Sequence, residues 1–450
     1  MMTATRRNVP IADANDSVDN DSVDTSLLAD NSIDAHLPLP VRLDSVIEKS
    51  KTYTTTTTQY VTTGRKRHRK KKAVRVTKTL ARSYQLGMYV YDITADSVVF
   101  ARNEDMMMKP ASTQKLFVST AFLTTRGMDF NFETTVSADG KVLKDSIGHP
   151  YFKGDIYLRG SFDPTLTMDD VRAVANSIHQ LEVDSIDGRI IVDDHLKAII
   201  MQEKGWQWDK TPLSDEFSFT PLYFNEGKAN GRHVRHPELY FASIVGKQLM
   251  ADSIRFSTSE PWDVSMTPVE GRRHLFAMVT PCERVLQRML KRSNNTYAEA
   301  IMLNLCKDNK DWTYERCRDV VRATVKKAGI KQDSYHIVDG SGLSHDNRCT
   351  ARSEVDLLCH VYDKKKLFGS MYSLLPIAGV DGTIRNRMRN GNTYNNVRAK
   401  TGTINAVSTL SGYVTTPDGH LLAFAILVNG TWDMGFARGL QDRLCGEMAK

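Results

Sequence analysis

The sequence predicts an α/β fold interrupted by a β-rich segment. Three observations carry this. Turn-linked β-rich runs stand near both ends of the folded region: QLGMYVYD (85–92) with SVVFAR (97–102), and residues 405–416 with 420–430 around a PDG turn. Helical patterns fill the space between these ends. A middle stretch, 134–280, instead mixes short strand-like runs (GDIYLRG, GRIIVDD) with many turns.

The elements follow in order. Residues 1–40 are acidic, poor in aromatic residues and locally repetitive (NDSVDNDSVD, 15–24), which reads as disorder. LPVRLDSVIEKS (39–50) suits a short helix. Residues 52–79 combine a threonine run with RKRHRKKKAVRVTK (65–78). Neither half has a strong helical or buried-strand pattern, so the segment reads as an exposed insertion, and residues 1–83 together read as a mostly disordered, low-complexity N-terminal region with the basic run at 65–78. Folded structure is expected from about residue 84. After the first hairpin, Pro110 and Ser112 suit a helix start. Leu116, Phe117, Val118, Ala121, Phe122 and Leu123 then make that helix apolar nearly all round, as in the middle of a domain. Helical patterns return at 282–292, 296–307 and 315–329, and an amphipathic helix at 433–449 closes the chain.

Charge and composition narrow the function. The net charge of +7 is local: residues 65–78 hold nine Lys or Arg and no acid, and the rest of the chain is slightly acidic. Such a run reads as a solvated segment, or as one that meets an anionic wall polymer, membrane or nucleic acid. With no nucleic-acid-reading module around it, sequence-specific nucleic-acid binding is not expected. No run of 18 apolar residues predicts a membrane span. The six cysteines form no C-x-x-C and no zinc-ligand spacing with histidine. They read as buried thiols, although their even number permits bridges that the sequence cannot assign.

The chemistry starts in KPASTQKLF (109–117). On a helix, Ser112 and Lys115 share a face. Burial disfavours a charged lysine, so a neutral Lys115 can take the Ser112 proton and make the hydroxyl a nucleophile. Free N–H groups at the helix start can hold an oxyanion. Alone, S-x-x-K is a capped helix with a solvated lysine. Alone, Ser293–Asn294–Asn295 is a turn between helices, and Lys400–Thr401–Gly402–Thr403 is a strand-edge turn. The ordered set S-x-x-K, S-x-N and K-T-G is far more specific.

That set resembles the penicillin-binding proteins and serine β-lactamases. The long interval from Ser112 to Ser293 resembles the low-molecular-mass class C penicillin-binding proteins, the D-alanyl-D-alanine carboxypeptidase/endopeptidase family, which carry inserted domains there. PASTQKLF, DPTLT (163–167), GWQWDK (205–210), SNNTYAEA, VDGSGLS (338–344), LPIAGVDGTIRNRM (375–388) and VRAKTGTI are similar to that family. The resemblance runs from about residue 85 to the C-terminus and does not account for the basic run.

The resemblance implies a transpeptidase/β-lactamase-like domain, an antiparallel sheet flanked by helices, from 84–133 and 281–450. One or two β-rich domains would be inserted at 134–280. It implies attack by Ser112 on the D-Ala–D-Ala bond of a peptidoglycan stem peptide, or on a D-Ala–diaminopimelate cross-link. Lys115 would be the base, Ser293 and Lys400 would relay the proton to the leaving amine, and Asn295 would hold the substrate backbone. Thr401 and Lys400 would meet the terminal carboxylate, Gly402 would admit the substrate backbone, and the N–H groups of Ser112 and Thr403 would form the oxyanion hole. Trp206 and Asp209 would line a diaminopimelate pocket. His345 stands where some members carry an arginine toward the distal carboxylate, which implies a weaker grip there. No metal or organic cofactor is required, and β-lactam antibiotics are implied as covalent inhibitors. The oligomeric state is left open. The substrate lies in the cell envelope, or periplasm, yet MMTATRRNVPIADAND shows no apolar signal core, so an upstream or missing signal is expected. The alternatives are a serine β-lactamase, and a wall- or nucleic-acid-binding protein acting through 65–78.

Overall fold

The structure, a computed structural model, describes residues 3–5, 36–63, 70–193, 199–200, 218–265, 271–306 and 313–450. Helix α1 (Leu39–Ser50) is followed by a hairpin of β1 (Thr52–Thr63) and β2 (Lys70–Ala81). The reading of residues 1–83 as mostly disordered is therefore corrected over 39–63 and 70–81, while 6–35 and 64–69 lie outside the described residues. β-Branched threonine and valine favour extended backbone even where neither face is buried deeply enough to leave an alternating pattern. The expected start of folding near 84 also moves, because Leu43, Val46 and Ile47 of α1 are buried in the core. Arg42 fastens that helix by donating to the Glu447 carboxylate at 2.8 Å.

The first sheet joins the two ends of the chain. Strands β3 (Gln85–Asp92) and β4 (Ser97–Arg102) form the expected hairpin, and helix α2 (Gln114–Thr125) follows. The middle of the chain folds around its own sheet. Strands β5 (Asn131–Lys144), β6 (Pro150–Arg159), β7 (Ile190–Asp193), β8 (Trp262–Ser265) and β9 (Arg273–Pro281) run in the order β9-β5-β6-β7-β8, with antiparallel and parallel pairs. Helices α3 (Met168–His179) and α4 (Pro237–Ala251) pack their apolar faces into this sheet's core. The region is thus mixed α/β rather than built of strands and turns alone. Its interior lies on helix stripes such as Val171, Val174, Ala175 and Ile178, whose spacing is helical. DPTLT belongs to the junction: Asp163 accepts from Thr280 at 2.6 Å, next to where the chain returns.

Helices α5 (Cys282–Arg292), α6 (Asn295–Leu303), α7 (Tyr314–Lys327), α8 (Ala351–Tyr362) and α9 (Lys365–Leu374) then build one layer. The chain ends with β10 (Arg398–Ile404), β11 (Val407–Thr415), β12 (Leu421–Asn429) and α10 (Met434–Met448). The sheet order is β10-β11-β12-β3-β4, with every pair antiparallel. β12 shows why LLAFAILVN is almost wholly apolar. Leu422, Phe424, Ile426 and Val428 face α1 and α10, whereas Ala423, Ala425 and Leu427 face the layer containing α2 and α8. A strand covered on both faces needs apolar side chains at both parities.

One cysteine expectation changes. Cys306 and Cys317 form a disulfide with Cα atoms 5.5 Å apart, where the ends of α6 and α7 meet. Cys282, Cys349 and Cys445 are buried thiols and Cys359 is half-buried. The bridge depends on how two helices fold back, which spacing alone does not reveal.

Candidate active site

Ser112 sits on one helical turn, Ala111–Thr113, that leads into α2. Ala111 ahead of it has φ +47°, a left-handed conformation that costs a non-glycine residue about 1–3 kcal/mol and persists only where its surroundings enforce it. They do enforce it here. Thr409 on β11 and Thr113 donate to the Pro110 carbonyl at 2.7 and 2.8 Å. The Asn429 side chain clasps both main-chain groups of Lys109. Below the turn, buried Glu354 accepts from Thr113 at 2.5 Å and from Ser411. The outcome is a half-exposed Ser112 on a rigid, buried base.

Lys115 is fully buried one turn on. Its Nζ lies 2.9 Å from Ser112 Oγ, 2.8 Å from Asn295 Oδ1 and 2.6 Å from the Ser341 carbonyl. Burial lowers its pKa to about 7; the charges of Asp339 and Glu299 act the other way. The two oxygens from Asn295 and Ser341 can only accept. They hold two hydrogens of a neutral amine and leave its lone pair for the Ser112 hydroxyl.

Ser293 ends α5 in a left-handed conformation, φ +58°, and Asn294 caps α6 by accepting from the Tyr297 N–H at 3.2 Å. This sharp turn lets Ser293 and Asn295 reach different lysines. Lys400, also fully buried, lies 2.9 Å from Ser293 Oγ and 2.7 Å from the Thr401 carbonyl. Burial, and next the neighbouring charge of Lys115, hold Lys400 well below the ordinary lysine range. Two buried lysines thus face one pocket, each touching a serine hydroxyl.

β10 is an edge strand. Residues 376–378 cover only its beginning, through Ala378 N–H to Val397 O (2.9 Å) and Ala399 N–H to Pro376 O (3.0 Å). Peptide groups alternate along a strand, so the N–H groups of Thr401 and Thr403 point to the same outer side as that of Ala399. Thr401 Oγ1 donates to Thr383 at 2.7 Å, and Thr403 is exposed. Gly402 has a tighter reason to be glycine than room for substrate. A Cβ there would stand 2.1 Å from Thr409 Oγ1, 2.6 Å from Pro110 O and 2.8 Å from Ser112 N. The strand presses directly on the Ser112 turn, beside the N–H groups of Ser112 and Thr403.

Ser112, Lys115 and Asn295 therefore share one set of hydrogen bonds, Ser293 and Lys400 form a second, and the charge of Lys115 reaches Lys400 between them, while Thr401, Gly402 and Thr403 lie on the strand beside the Ser112 turn. His345 lies to one side, its Nδ1 3.2 Å from Lys109 Nζ, while Arg348 donates to its carbonyl at 2.5 Å. Trp206 and Asp209 lie outside the described residues. Among the described residues no group of three or more His, Cys, Asp or Glu side chains is placed to hold a metal ion, and no helix is long and apolar enough to cross a membrane.

Sequence reasoning missed the layer beneath. Glu299, wholly buried on α6, accepts from Tyr314 OH at 2.6 Å and from the Ser341 N–H at 2.8 Å. Burial, and next Asp339, raise its pKa to about 7. Asp339 gathers the 339–347 loop by accepting from Gly342 N–H, Ser344 N–H and Asn347 Nδ2 at 2.6–2.9 Å. Together they aim the Ser341 carbonyl at Lys115. An acid inside the apolar run TYAEAIML was the available signal for Glu299.

A serine-and-lysine pair at a helix start, beside a strand edge left partly uncovered among the described residues, defines the class of serine enzymes that work through an acyl-enzyme, and the family match narrows it to the serine-type D-Ala-D-Ala carboxypeptidases. The model of the D-Ala-D-Ala carboxypeptidase 3 (S13) family matches residues 73–230 and 223–445, and the chain belongs to that family. Similar proteins include D-alanyl-D-alanine carboxypeptidase DacB of Haemophilus influenzae, 22% identical over 428 residues, which cover 79% of this chain and 87% of that one. The D-alanyl-D-alanine carboxypeptidase of an Actinomadura species is 27% identical over 429 residues, covering 76% and 77%. The crystal structure of penicillin binding protein 4 from Haemophilus influenzae shares the fold, with a TM-score of 0.68 at 21% identity over 80% of this chain and 96% of that one.

Proposed function

We propose that this carboxypeptidase uses Ser112 to cleave the D-Ala–D-Ala bond of peptidoglycan stem peptides, and that the same site opens D-Ala–diaminopimelate cross-links. The substrate strand lies along the free edge of β10. Neutral Lys115 accepts the Ser112 proton as Oγ attacks the carbonyl carbon, and the oxyanion meets the N–H groups of Ser112 and Thr403. The tetrahedral adduct collapses, its C–N bond breaks, and the proton that Lys115 took from Ser112 passes by way of Lys400 and Ser293 to the nitrogen of the departing D-alanine, which leaves Lys115 neutral again. Water then attacks the ester carbonyl, giving its proton back to Ser112 and releasing the shortened peptide. Asn295 orients the substrate amide, and Thr401 with Lys400 holds the terminal carboxylate.

The observation that carries this reading is the pair of contacts on Lys115 Nζ: Ser112 on one side, and acceptor-only oxygens on the other. We assign 84–133 with 281–450 to the catalytic unit, joined by α1, and 134–280 to an accessory unit. Lys109 gives the His345 region a cation, so a distal carboxylate need not rely on histidine alone. Trp206 and Asp209 stay assigned to the diaminopimelate pocket. The structure of the Haemophilus influenzae protein complexed with a β-lactam supports β-lactam binding by this fold, and we assign Ser112 as the residue acylated here. Such a substrate places the enzyme in the cell envelope.

The test is release of D-alanine from an acyl-D-Ala-D-Ala peptide by the wild type and by Ser112→Ala. Undiminished release by the variant contradicts the assignment. Retention of all release by Lys109→Ala on substrates with a free diaminopimelate end removes Lys109 from specificity.

A further inference from the structure

The β1–β2 hairpin takes no part in the site. It is a ladder of twelve paired positions, from Thr52↔Ala81 to Thr63↔Lys70, and among the described residues it pairs with no other strand. An isolated two-stranded ribbon is marginal in water. Its base is held firmly: Arg82 N–H donates to Lys51 O at 2.7 Å. The Arg82 guanidinium lies 4.5 Å over the Tyr53 ring and 4.1 Å over the Phe436 ring, and pairs with Asp433 at 2.9 Å.

The two faces differ in chemistry. Register pairs Tyr53 with Leu80, Thr55 with Lys78 and Thr57 with Val76 on one face, and that face continues to Val74. The other face pairs Thr54 with Thr79, Thr56 with Thr77 and Thr58 with Arg75, and the Thr56 and Thr77 hydroxyls bond each other at 3.1 Å. On the first face Tyr53, Val74 and Leu80 are 37%, 37% and 40% exposed, so core-type side chains are held in water. From Thr52 to Ala81 there is no Asp or Glu, and nine Lys or Arg fall within 65–78.

A soluble polyanion would be served by cations on a wholly polar ribbon. Apolar and cationic positions on one face instead match the boundary of an anionic bilayer, where apolar side chains leave water while lysines stay among phosphates. We propose that the hairpin is an arm that docks the enzyme on an anionic lipid surface. The arm concentrates the enzyme at the bilayer and leaves the chemistry of the site unchanged.

The test uses the full chain with two vesicle types, phosphatidylcholine alone and an equimolar mixture with phosphatidylglycerol. Partition onto the mixed vesicles is expected to exceed that onto neutral ones by about tenfold or more, and to weaken with salt. Two variants separate the contributions: Lys70→Glu with Lys72→Glu and Lys78→Glu, and Val74→Thr with Val76→Thr, which keeps charge and β-propensity. Each should lower partition by roughly tenfold. Both should release D-alanine from a soluble peptide at the wild-type rate, so the arm and the catalytic assignment fail separately. The proposal is overturned by absence of vesicle binding, or by binding that survives both variants. It is equally overturned if only the charge variant loses binding and a soluble teichoic acid is bound as tightly as vesicles, which assigns the arm to a wall polymer.

Discussion

The cleft and the hairpin use lysine in opposite ways. In the cleft Lys115 and Lys400 are fully buried, and desolvation pushes both toward the neutral amine. On the hairpin, Lys78 and Arg75 are exposed, with no acid in the segment. The difference teaches that basic content alone says nothing about role. A lysine becomes a base where packing removes its water and leaves acceptors on two sides only. It remains a charged contact point where nothing covers it.

The largest expected effect breaks the cleft side of this contrast. Lys115→Met should lower kcat/KM for D-alanine release by about 10³-fold or more, since the base is gone. The same variant should melt at an equal or higher temperature, because an apolar chain replaces a desolvated amine. A variant that loses activity only by unfolding would remove the distinction between a functional and a structural lysine.

Next comes pH. Lys115 must be neutral to act, so the rate of acylation by a penicillin should climb as pH rises through about 7. Stability has the same sign. The folded-state pKa is lowered, the unfolded chain binds the extra proton between about 7 and 10.4, and Lys115 therefore adds stability as pH rises across that window. Acylation rates that are flat from pH 6 to 8, at conditions where the fold is intact, contradict a neutral Lys115.

A smaller effect belongs to Gly402. Gly402→Ala drives a methyl group into Pro110 O and Ser112 N, and should cost about 1–3 kcal/mol of stability together with much of the acylation rate. Wild-type melting and acylation in this variant would show that β10 does not bear on the Ser112 turn. The smallest effect is Glu299→Gln, which keeps the shape and deletes a charge that raises the Lys115 pKa. The acid limb of acylation should move to lower pH with the maximal rate little changed. An unmoved limb would leave Glu299 with its hydrogen bonds to Tyr314 and the Ser341 N–H as its whole role.

Much of the cleft was legible because its chemistry lies in short local strings. Ser112 with Lys115, Ser293 with Asn295, and Lys400 through Thr403 each occupy one turn or strand, and their order supplied the rest. The supporting contacts were not legible, because each spans distant positions. Glu299 reaches Ser341, Glu354 reaches Thr113 and Ser411, and Asn429 reaches Lys109. The left-handed φ at Ala111 left no trace in sequence, since glycine does not mark it. The fold shows the same division. β12 announced itself by an apolar run needed on both faces, and α2 by being apolar all round. The β1–β2 hairpin did not, because exposed strands owe no alternation to a core.

The most direct measurement is mass spectrometry of the intact protein after brief exposure to benzylpenicillin, with the adduct mapped to a peptide. A single acyl adduct should appear on Ser112, persist long enough to be isolated, and be absent from Ser112→Ala. An adduct on another residue, or rapid turnover of penicillin with no lasting adduct, contradicts the account; the second result describes a β-lactamase.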